Sequence, residues 1–333
     1  MKNSKVMGTI LVTGGRGFLG RHLVSQLSEH GERVRLFTRA HTNTRQREIA
    51  ESEVVFGDIR DQKAVEQAVD GVDKVIHLVS NFRKGGSDKK EAYSINVEGT
   101  ENILQASLKN GVKQLIHCST IGVHGDVRSI PANEETPFNP GDLYQETKLI
   151  AEKRVWEFCE ETGLPITVIR PISMFGPGDL RMLKLFRMIK KGRFVIVGNG
   201  SPFFQPAYID DVVQGFLLCL NNDQAIGEVF IIGGDEYLPL RELFRLIAEE
   251  FGVPPPKLKI PLFPVLFLAA LCEKICVPLG IEPPLHRRRV SFFQNNRAFS
   301  IAKAKKTLNY RPQVSLREGI KRTIRWYEEQ GLL

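Results

Sequence analysis

No apolar run in this 333-residue chain approaches the roughly 18 uninterrupted residues that a bilayer-spanning helix requires. The longest candidate, IPLFPVLFLAALCEKICVPLGI at residues 260–281, breaks at Glu273 and Lys274 after about a dozen apolar positions. It reads as a helix packed in protein, with peripheral contact at a membrane surface as the weaker alternative. Cysteine is scarce. Five residues, Cys118, Cys159, Cys219, Cys272 and Cys276, are odd in number and sit mostly in apolar runs, which excludes a disulfide framework and points to a reducing cytoplasm. Cys272 and Cys276 stand four apart on a predicted helix with no histidine or second pair nearby, so they read as buried thiols and no metal is expected. The opening MKNSKVMGTILVTGG is too short in apolar length, and too rich in glycine, for an export signal. Internal repeats and low-complexity tracts are also missing, which excludes solenoids and disordered arrays.

Acidic charge is in modest deficit, with 38 Asp and Glu against 46 Lys and Arg, a net charge of +8. The excess is scattered apart from HRRR at 286–289 and the basic stretch from Lys303 to Arg325. With no nucleic-acid motif beside it, this pattern argues against nucleic acid as a partner and suits a small anionic ligand.

What is present is alternation. Short apolar strands are predicted at Thr9–Thr13, Arg33–Thr38, Glu53–Phe56, Lys74–Val79, Gln114–Cys118 and Ile166–Arg170. Between them lie helical stretches at Phe18–Glu29, Lys63–Val69, Tyr93–Asn110 and Tyr144–Thr162. Strand and helix in turn imply an α/β fold with a doubly wound parallel sheet and right-handed crossovers. After Pro171 the alternation weakens, Gly and Pro punctuate the chain, and helices are predicted at Val212–Asn221, Leu240–Phe251 and Leu316–Glu329. The expected division is a nucleotide-binding domain over 1–170 and a smaller C-terminal substrate-binding lobe over 171–333, with some of its segments returning to the sheet.

TILVTGGRGFLG at 9–20 places glycines between the first strand and the first helix, the context in which a glycine-rich loop cradles phosphate. Two registers fit: Gly15, Gly17 and Gly20 give GxGxxG, while Gly14, Gly17 and Gly20 give GxxGxxG. Gly14 and Gly15 would allow the turn, Gly17 the approach of pyrophosphate and Gly20 close helix packing. Where NAD binders usually place an acidic residue, at the end of the second strand, the chain reads LFTRA. Arg39 there, with Arg16 in the loop, favours a 2′-phosphate and hence NADP(H), NAD(H) being the alternative; Arg39 could instead be a solvated loop charge or stack on adenine. Asp58 in GDIRD stands at the sheet edge, where it could accept from an adenine amino group or simply form a turn.

YQETK puts Tyr144 and Lys148 on one helix face. A free tyrosine, with a pKa near 10, needs a neighbouring cation to act as a base near neutrality. Ser119 and Thr120 in HCSTIGVHG follow a buried strand at its C-terminal end. Thr120 could hold a substrate oxygen while Tyr144 exchanges its proton.

With TGGRGFLG, GDIRD, VIHLVS, INVEGTENIL, CSTIGVHG, YQETK, IRPISMFGPGD and YIDDVV in order along nearly the whole chain, the sequence resembles the extended short-chain dehydrogenase/reductases of the NAD-dependent epimerase/dehydratase superfamily. The resemblance implies a Rossmann domain, a homodimer through the helices at 93–110 and 144–162, and a catalytic set of Thr120, Tyr144 and Lys148. It implies a cofactor-binding set of Gly14, Arg16, Gly17, Phe18, Leu19, Arg39, Asp58, Ile59, Leu78, Ser80, Asn96, Tyr144, Lys148, Pro171 and Ser173. His77 reads as a packed strand residue, and His124, which stands where the family usually has an aromatic, reads as packing. It also implies the GxxGxxG register at the glycine loop, with Gly15 only a turn residue.

Departures narrow the branch. Ile121 and Gly122 stand where sugar-nucleotide dehydratases carry Asp-Glu, which argues against dehydration. GSPFFQPAYIDD has no basic anchor for a sugar diphosphate between Gly200 and Asp210, and Phe203, Phe204 and Pro206 offer apolar surface instead. The pattern is closest to the 3β-hydroxysteroid dehydrogenase and dihydroflavonol reductase-like branch. That implies hydride transfer to or from a secondary alcohol or ketone of an apolar small molecule. The alternatives are a nucleotide-sugar epimerase and a noncatalytic dinucleotide-binding sensor.

Overall fold

The computed structural model describes residues 8–39, 52–82, 89–276, 279, 281, 283–285 and 287–333. A parallel sheet runs through its centre. The strands β1 (Thr9–Thr13), β2 (Arg33–Thr38), β3 (Glu53–Phe56), β4 (Lys74–His77), β5 (Gln114–Cys118) and β6 (Ile166–Pro171) lie in the order β3-β2-β1-β4-β5-β6, and strand Val229–Ile232 adds itself beside β6. Every pairing in this sheet is parallel. The last strand, VFII, had not been predicted: four apolar residues among turns carry no periodicity that separates strand from loop. Its partner β6 is buried along its whole length.

The inner strands are near-continuous apolar runs because both faces are covered, as parallel sheets require, while the edge strand β3 is largely exposed. In β1, Ile10 and Val12 enter the core that also holds α1 (Phe18–Glu29) and most of the C-terminal half. Leu11 points the opposite way, into the core beneath α2 (Gln62–Val69) and α4 (Gly99–Lys109). The helical stretch expected over 93–110 is a composite: α3 (Lys89–Tyr93), a π-helical turn at Ser94–Glu98, then α4. The long helix α5 (Leu143–Thr162) follows β5 and is capped by Asp142, whose carboxylate accepts from the Gln145 N–H at 2.9 Å.

The chain leaves β1 toward β2 and β3, then returns to the other side of β1 as β4. The switch of direction opens a crevice at the carboxyl ends of β1 and β4, where ligands bind in such sheets. Here the glycine register resolves itself. Gly14 takes φ +74°, its carbonyl accepts the Gly17 N–H at 2.9 Å, and a Cβ on Gly20 would lie 2.3 Å from that same oxygen. Gly14, Gly17 and Gly20 are therefore one geometric unit. Gly15 stands in the turn, as expected, and is also a packing position, where a Cβ would fall 2.6 Å from the Leu36 side chain. Gly20→Ala drives a methyl into backbone that cannot step aside. It is expected to lower stability by about 1–3 kcal/mol and to weaken binding of a dinucleotide in this loop, checked by thermal melting and by calorimetric titration with NADH and NADPH in parallel.

Three expectations for the second half are corrected. The segment at 260–281 does form a helix, Leu262–Cys276, but Ala269 is its one buried side chain among the described residues, so it is packed in protein on one side only and leaves much of its apolar surface exposed. Cys272 and Cys276 are accordingly partly exposed rather than buried. Phe204 and Pro206 do not offer apolar surface: both are buried, the Phe204 ring packing edge-on to Phe292 at 5.2 Å.

Candidate active site

The crevice is built on Thr13 and His77, at the ends of β1 and β4. Thr13 Oγ1 accepts from the backbone N–H of Leu78 at 3.2 Å and of Val79 at 3.4 Å, so its own proton is directed to His77 Nδ1 at 2.8 Å. His77 Nε2 then carries the ring proton and donates to Thr100 Oγ1 at 3.1 Å, whose hydroxyl donates to the Asn96 carbonyl at 2.7 Å. Burial holds this imidazole neutral and pushes its pKa down to about 3. His77 is thus the packed strand residue expected of it.

The N-terminus of α1 faces this crevice with nothing of its own to satisfy it. Gly17 is the cap residue, no side chain caps the helix, and no acidic side chain stands in its first turn. The contrast with α2 and α5, each capped by an aspartate, marks α1 as the end whose N–H groups and dipole are left for an anion. Phe18 and Leu19 open the helix, Phe18 partly exposed and Leu19 buried. The glycine cradle and this uncapped end fit a pyrophosphate.

At the end of β2, Arg39 is exposed and its charge lowers the Asp58 pKa, a smaller effect than that of Arg60. Arg16 reaches from the glycine loop to within 5.8 Å of the Phe56 ring, and Phe56 pairs with Thr38 of β2. Two guanidinium groups therefore flank the position where an acidic residue is lacking. Asp58 is forked by Arg60 (2.9 and 2.7 Å) and also accepts the Arg60 N–H at 3.0 Å. Its carboxylate forms the turn and a local ion pair, and Arg60 holds its pKa below the ordinary value. Ile59 is buried, its carbonyl accepting from Asn102 at 2.9 Å. Leu78 and Ser80 line the exit from β4, both partly exposed. Pro171 ends β6 opposite Ile232, and Ser173 begins a short strand paired with Pro206–Tyr208.

The remaining residues converge from β5 and α5. Thr120 caps the short 3₁₀ turn Ile121–His124, its Oγ1 accepting from the Gly122 N–H at 3.0 Å. That bond uses a lone pair and leaves the hydroxyl proton to donate. Ser119, the other hydroxyl at this strand end, is buried and donates to Glu152. Glu152 in turn forms a fully buried ion pair with Arg170 of β6, whose guanidinium also donates to His124 Nε2 at 3.0 Å and to the Glu134 carbonyl at 2.9 Å. This network ties α5 to β5 and β6, and it takes Ser119 out of the crevice. His124 packs there, its ring stacked on Phe138 at 5.5 Å.

Lys148 is 2% exposed. Its Nζ lies 3.4 Å from His117 Nε2, and burial lowers its pKa, opposed by the Cys118 thiol and the Glu152 carboxylate. Tyr144, one turn earlier, is partly exposed and meets the Phe82 ring edge-on at 4.9 Å. Asn96, fully buried in the π-helical turn, accepts the Asn81 N–H at 2.6 Å and donates to Thr147 Oγ1 at 2.8 Å. It thereby binds the loop after β4 to the helix that carries Tyr144 and Lys148.

Four residues escaped the sequence reading. Glu152 lies four residues beyond Lys148, in line with Tyr144, and the same helical spacing could have revealed it. Arg170 bears no local signal, since its partners come from distant elements. Phe82 and Arg181 build a wall beside Tyr144: the Arg181 guanidinium stands 5.0 Å from the Phe18 ring and 5.7 Å from that of Phe82, and is held at 2.7 Å by the buried Asp179. Among the described residues no group of three or more metal-ligating side chains occurs.

The model of the NAD dependent epimerase/dehydratase family matches residues 10–233. The chain belongs to this family. Within it, the chain is an NAD(P)-dependent enzyme of the extended short-chain dehydrogenase/reductase type. It is 32% identical to a 3beta-hydroxysteroid-dehydrogenase/decarboxylase of Arabidopsis thaliana, over 94% of this chain and 78% of that one. It is likewise 32% identical to a 2-alkyl-3-oxoalkanoate reductase of Stenotrophomonas maltophilia, over 94% and 97%. Among solved structures it is similar to a UDP-glucose 4-epimerase of Thermotoga maritima, with a TM-score of 0.79, 26% identity and coverage of 97% and 99%.

Proposed function

We propose that this family member is an NADP(H)-dependent oxidoreductase that interconverts a secondary alcohol and a ketone on an apolar small molecule. The observation that carries the reading is the arrangement at the ends of β5 and α5: a Thr120 hydroxyl free to donate, a partly exposed Tyr144, and a buried Lys148 one turn behind it. A bound nicotinamide supplies or accepts the hydride. Thr120 donates to the substrate oxygen, Tyr144 exchanges the proton at that oxygen, and Lys148 keeps the phenolate form accessible. Phe82 and Phe18 give the substrate side apolar walls. The substrates named for the Arabidopsis and Stenotrophomonas relatives, a hydroxysteroid and an oxoalkanoate, fit that character. The lobe over 171–333 supplies much of the substrate side, Arg181 among its residues.

The preference for NADP(H) follows from Arg16 and Arg39 flanking the end of β2. Each charge-assisted bond to a 2′-phosphate contributes about 1.5–3 kcal/mol. Arg39→Ala and Arg16→Ala are therefore each expected to raise KM for NADPH roughly 10- to 100-fold and to leave KM for NADH nearly unchanged. The decisive assay follows nicotinamide absorbance with a panel of hydroxysteroids, 3-oxoacids and nucleotide sugars. Net oxidation or reduction of added cofactor with the apolar substrates is the expected result. Conversion of a UDP-sugar on retained NAD without absorbance change would instead make the protein an epimerase. Cofactor binding with no turnover of any class would make it a sensor.

A further inference from the structure

We propose that the face formed by Leu262–Cys276 and its flanks docks on an anionic lipid bilayer, the helix lying in the interface rather than crossing it. A 13-residue stretch from Ile260 to Cys272 carries no charge, yet the helix buries only Ala269 among its described side chains. Phe263 is 78% exposed and Phe267 63%. With Leu271 and Ile275 they recur every four residues along the helix, Leu268 lies beside them, and all are exposed, so that they make one stripe. Leu279 and Ile281, just beyond the helix in the sequence, are exposed as well. Contiguous exposed apolar residues of this kind, as opposed to singly scattered ones, mark an interaction surface.

Length excludes a spanning helix. The 15 residues of the helix cover about 22 Å at 1.5 Å each, against a hydrocarbon core of about 30 Å. No helix among the described residues is long and apolar enough to cross a membrane. A helix of this length is suited to lie with its apolar stripe at the boundary between headgroups and acyl chains.

Charge identifies the occupant. Residues 253–290 contain six basic residues, Lys257, Lys259, Lys274, Arg287, Arg288 and Arg289, and two acidic ones, Glu273 and Glu282, a net of +4 and half of the chain's total. Lys257, Lys259, Lys274 and Arg287 are exposed, two before the apolar stripe in the sequence and two at or after its end. Glu273 is taken up in an ion pair with Arg287 at 2.7 Å. A second copy of the chain meeting this face would set Lys257, Lys259, Lys274 and Arg287 against the same four cations across the interface, which is repulsive. An anionic headgroup layer receives the same basic rim favourably, while the acyl region receives the aromatic and aliphatic stripe. Docking of this face is independent of which substrate the enzyme turns over.

The test is flotation of the purified full chain with two kinds of vesicle, phosphatidylcholine alone and phosphatidylcholine mixed with phosphatidylserine. The expected result is flotation at least tenfold greater with the mixed vesicles, released by high salt. The double variant Phe263→Glu, Phe267→Glu is expected to lose it, with NADPH affinity unchanged as the check on folding. Should that variant fail to fold, Lys257→Glu with Lys259→Glu reads the same rim without touching the helix. Absence of flotation with either vesicle overturns the proposal, as does equal flotation of wild type and variants. So does a wild-type molar mass, measured by light scattering without lipid, that is halved in the Phe263→Glu, Phe267→Glu variant while neither floats: the face is then an interface between two copies.

Discussion

Tyr144→Phe is expected to reduce turnover by about 10²- to 10⁴-fold, the range for loss of a positioned proton-transfer group, while affinity for NADPH stays within a few-fold of wild type. The asymmetry is physical. Phenylalanine keeps the ring and so keeps the edge-on contact with Phe82 at 4.9 Å; what disappears is the phenolic oxygen. An ordinary tyrosine titrates near pH 10, and the residue that can lower this is Lys148, an ammonium held in a dry site by the helix the two share. Lys148→Met is expected to cost turnover to a similar extent, and in addition to move to higher pH the limb of the alcohol-oxidation pH–rate profile that rises with tyrosine ionisation, since a lost cation raises the tyrosine pKa. Full activity in Tyr144→Phe would remove tyrosine from the chemistry and leave Thr120 without a partner for the proton. Steady-state kinetics with calorimetric NADPH titration separates these outcomes.

The sheet and the cofactor end of the crevice were legible in sequence because their signals are local. A strand, a glycine loop and a helix lie within 21 residues from Thr9 to Glu29, and Tyr144 and Lys148 lie one helical turn apart. The parts that were not legible depend on contacts between distant elements. Arg170 and Glu152 meet across 18 residues of chain, and Phe18 and Arg181, more than 160 residues apart in the sequence, meet in space. The strand Val229–Ile232 is specified by β6, which offers it a free edge, more than by its own four residues. The apolar segment at 260–281 misled for the opposite reason. Hydrophobicity alone predicts burial, but whether a partner surface exists to bury it is a property of the whole fold. The choice between Ser119 and Thr120 likewise turns on the three-dimensional position of Glu152, which draws Ser119 away.

Acidification is expected to unfold the protein through its buried histidines. His77 accepts from Thr13, His117 from the Lys148 ammonium, and His124 from the Arg170 guanidinium. Each ring is thus held as an acceptor: Thr13 Oγ1 already accepts from Leu78 and Val79, and the other two donors are cations with no lone pair to offer. Burial, the largest cause in every case, pushes the pKa of His77 to about 3, that of His124 to about 4, and that of His117 well below its ordinary value. In the unfolded chain these residues titrate near 6.5. Below that pH the unfolded state takes up protons that the folded state refuses, so stability falls as pH falls, from about 6.5 toward the folded values. Above about 7 both states are neutral at these sites and the contribution is flat. Each histidine removes about 1.4 kcal/mol per pH unit inside the window, so three together remove several kcal/mol by about pH 5, a large part of the 5–15 kcal/mol typical of a folded protein. The measurement is the urea midpoint as a function of pH. His124→Gln, whose amide oxygen can still accept from Arg170, is expected to lose stability at neutral pH yet show a slope shallower by about one proton in that window. A urea midpoint that stays level from about pH 7 to about pH 5 would mean that these rings take up protons in the folded state, and with them the donor assignments to Thr13, Lys148 and Arg170 would fall.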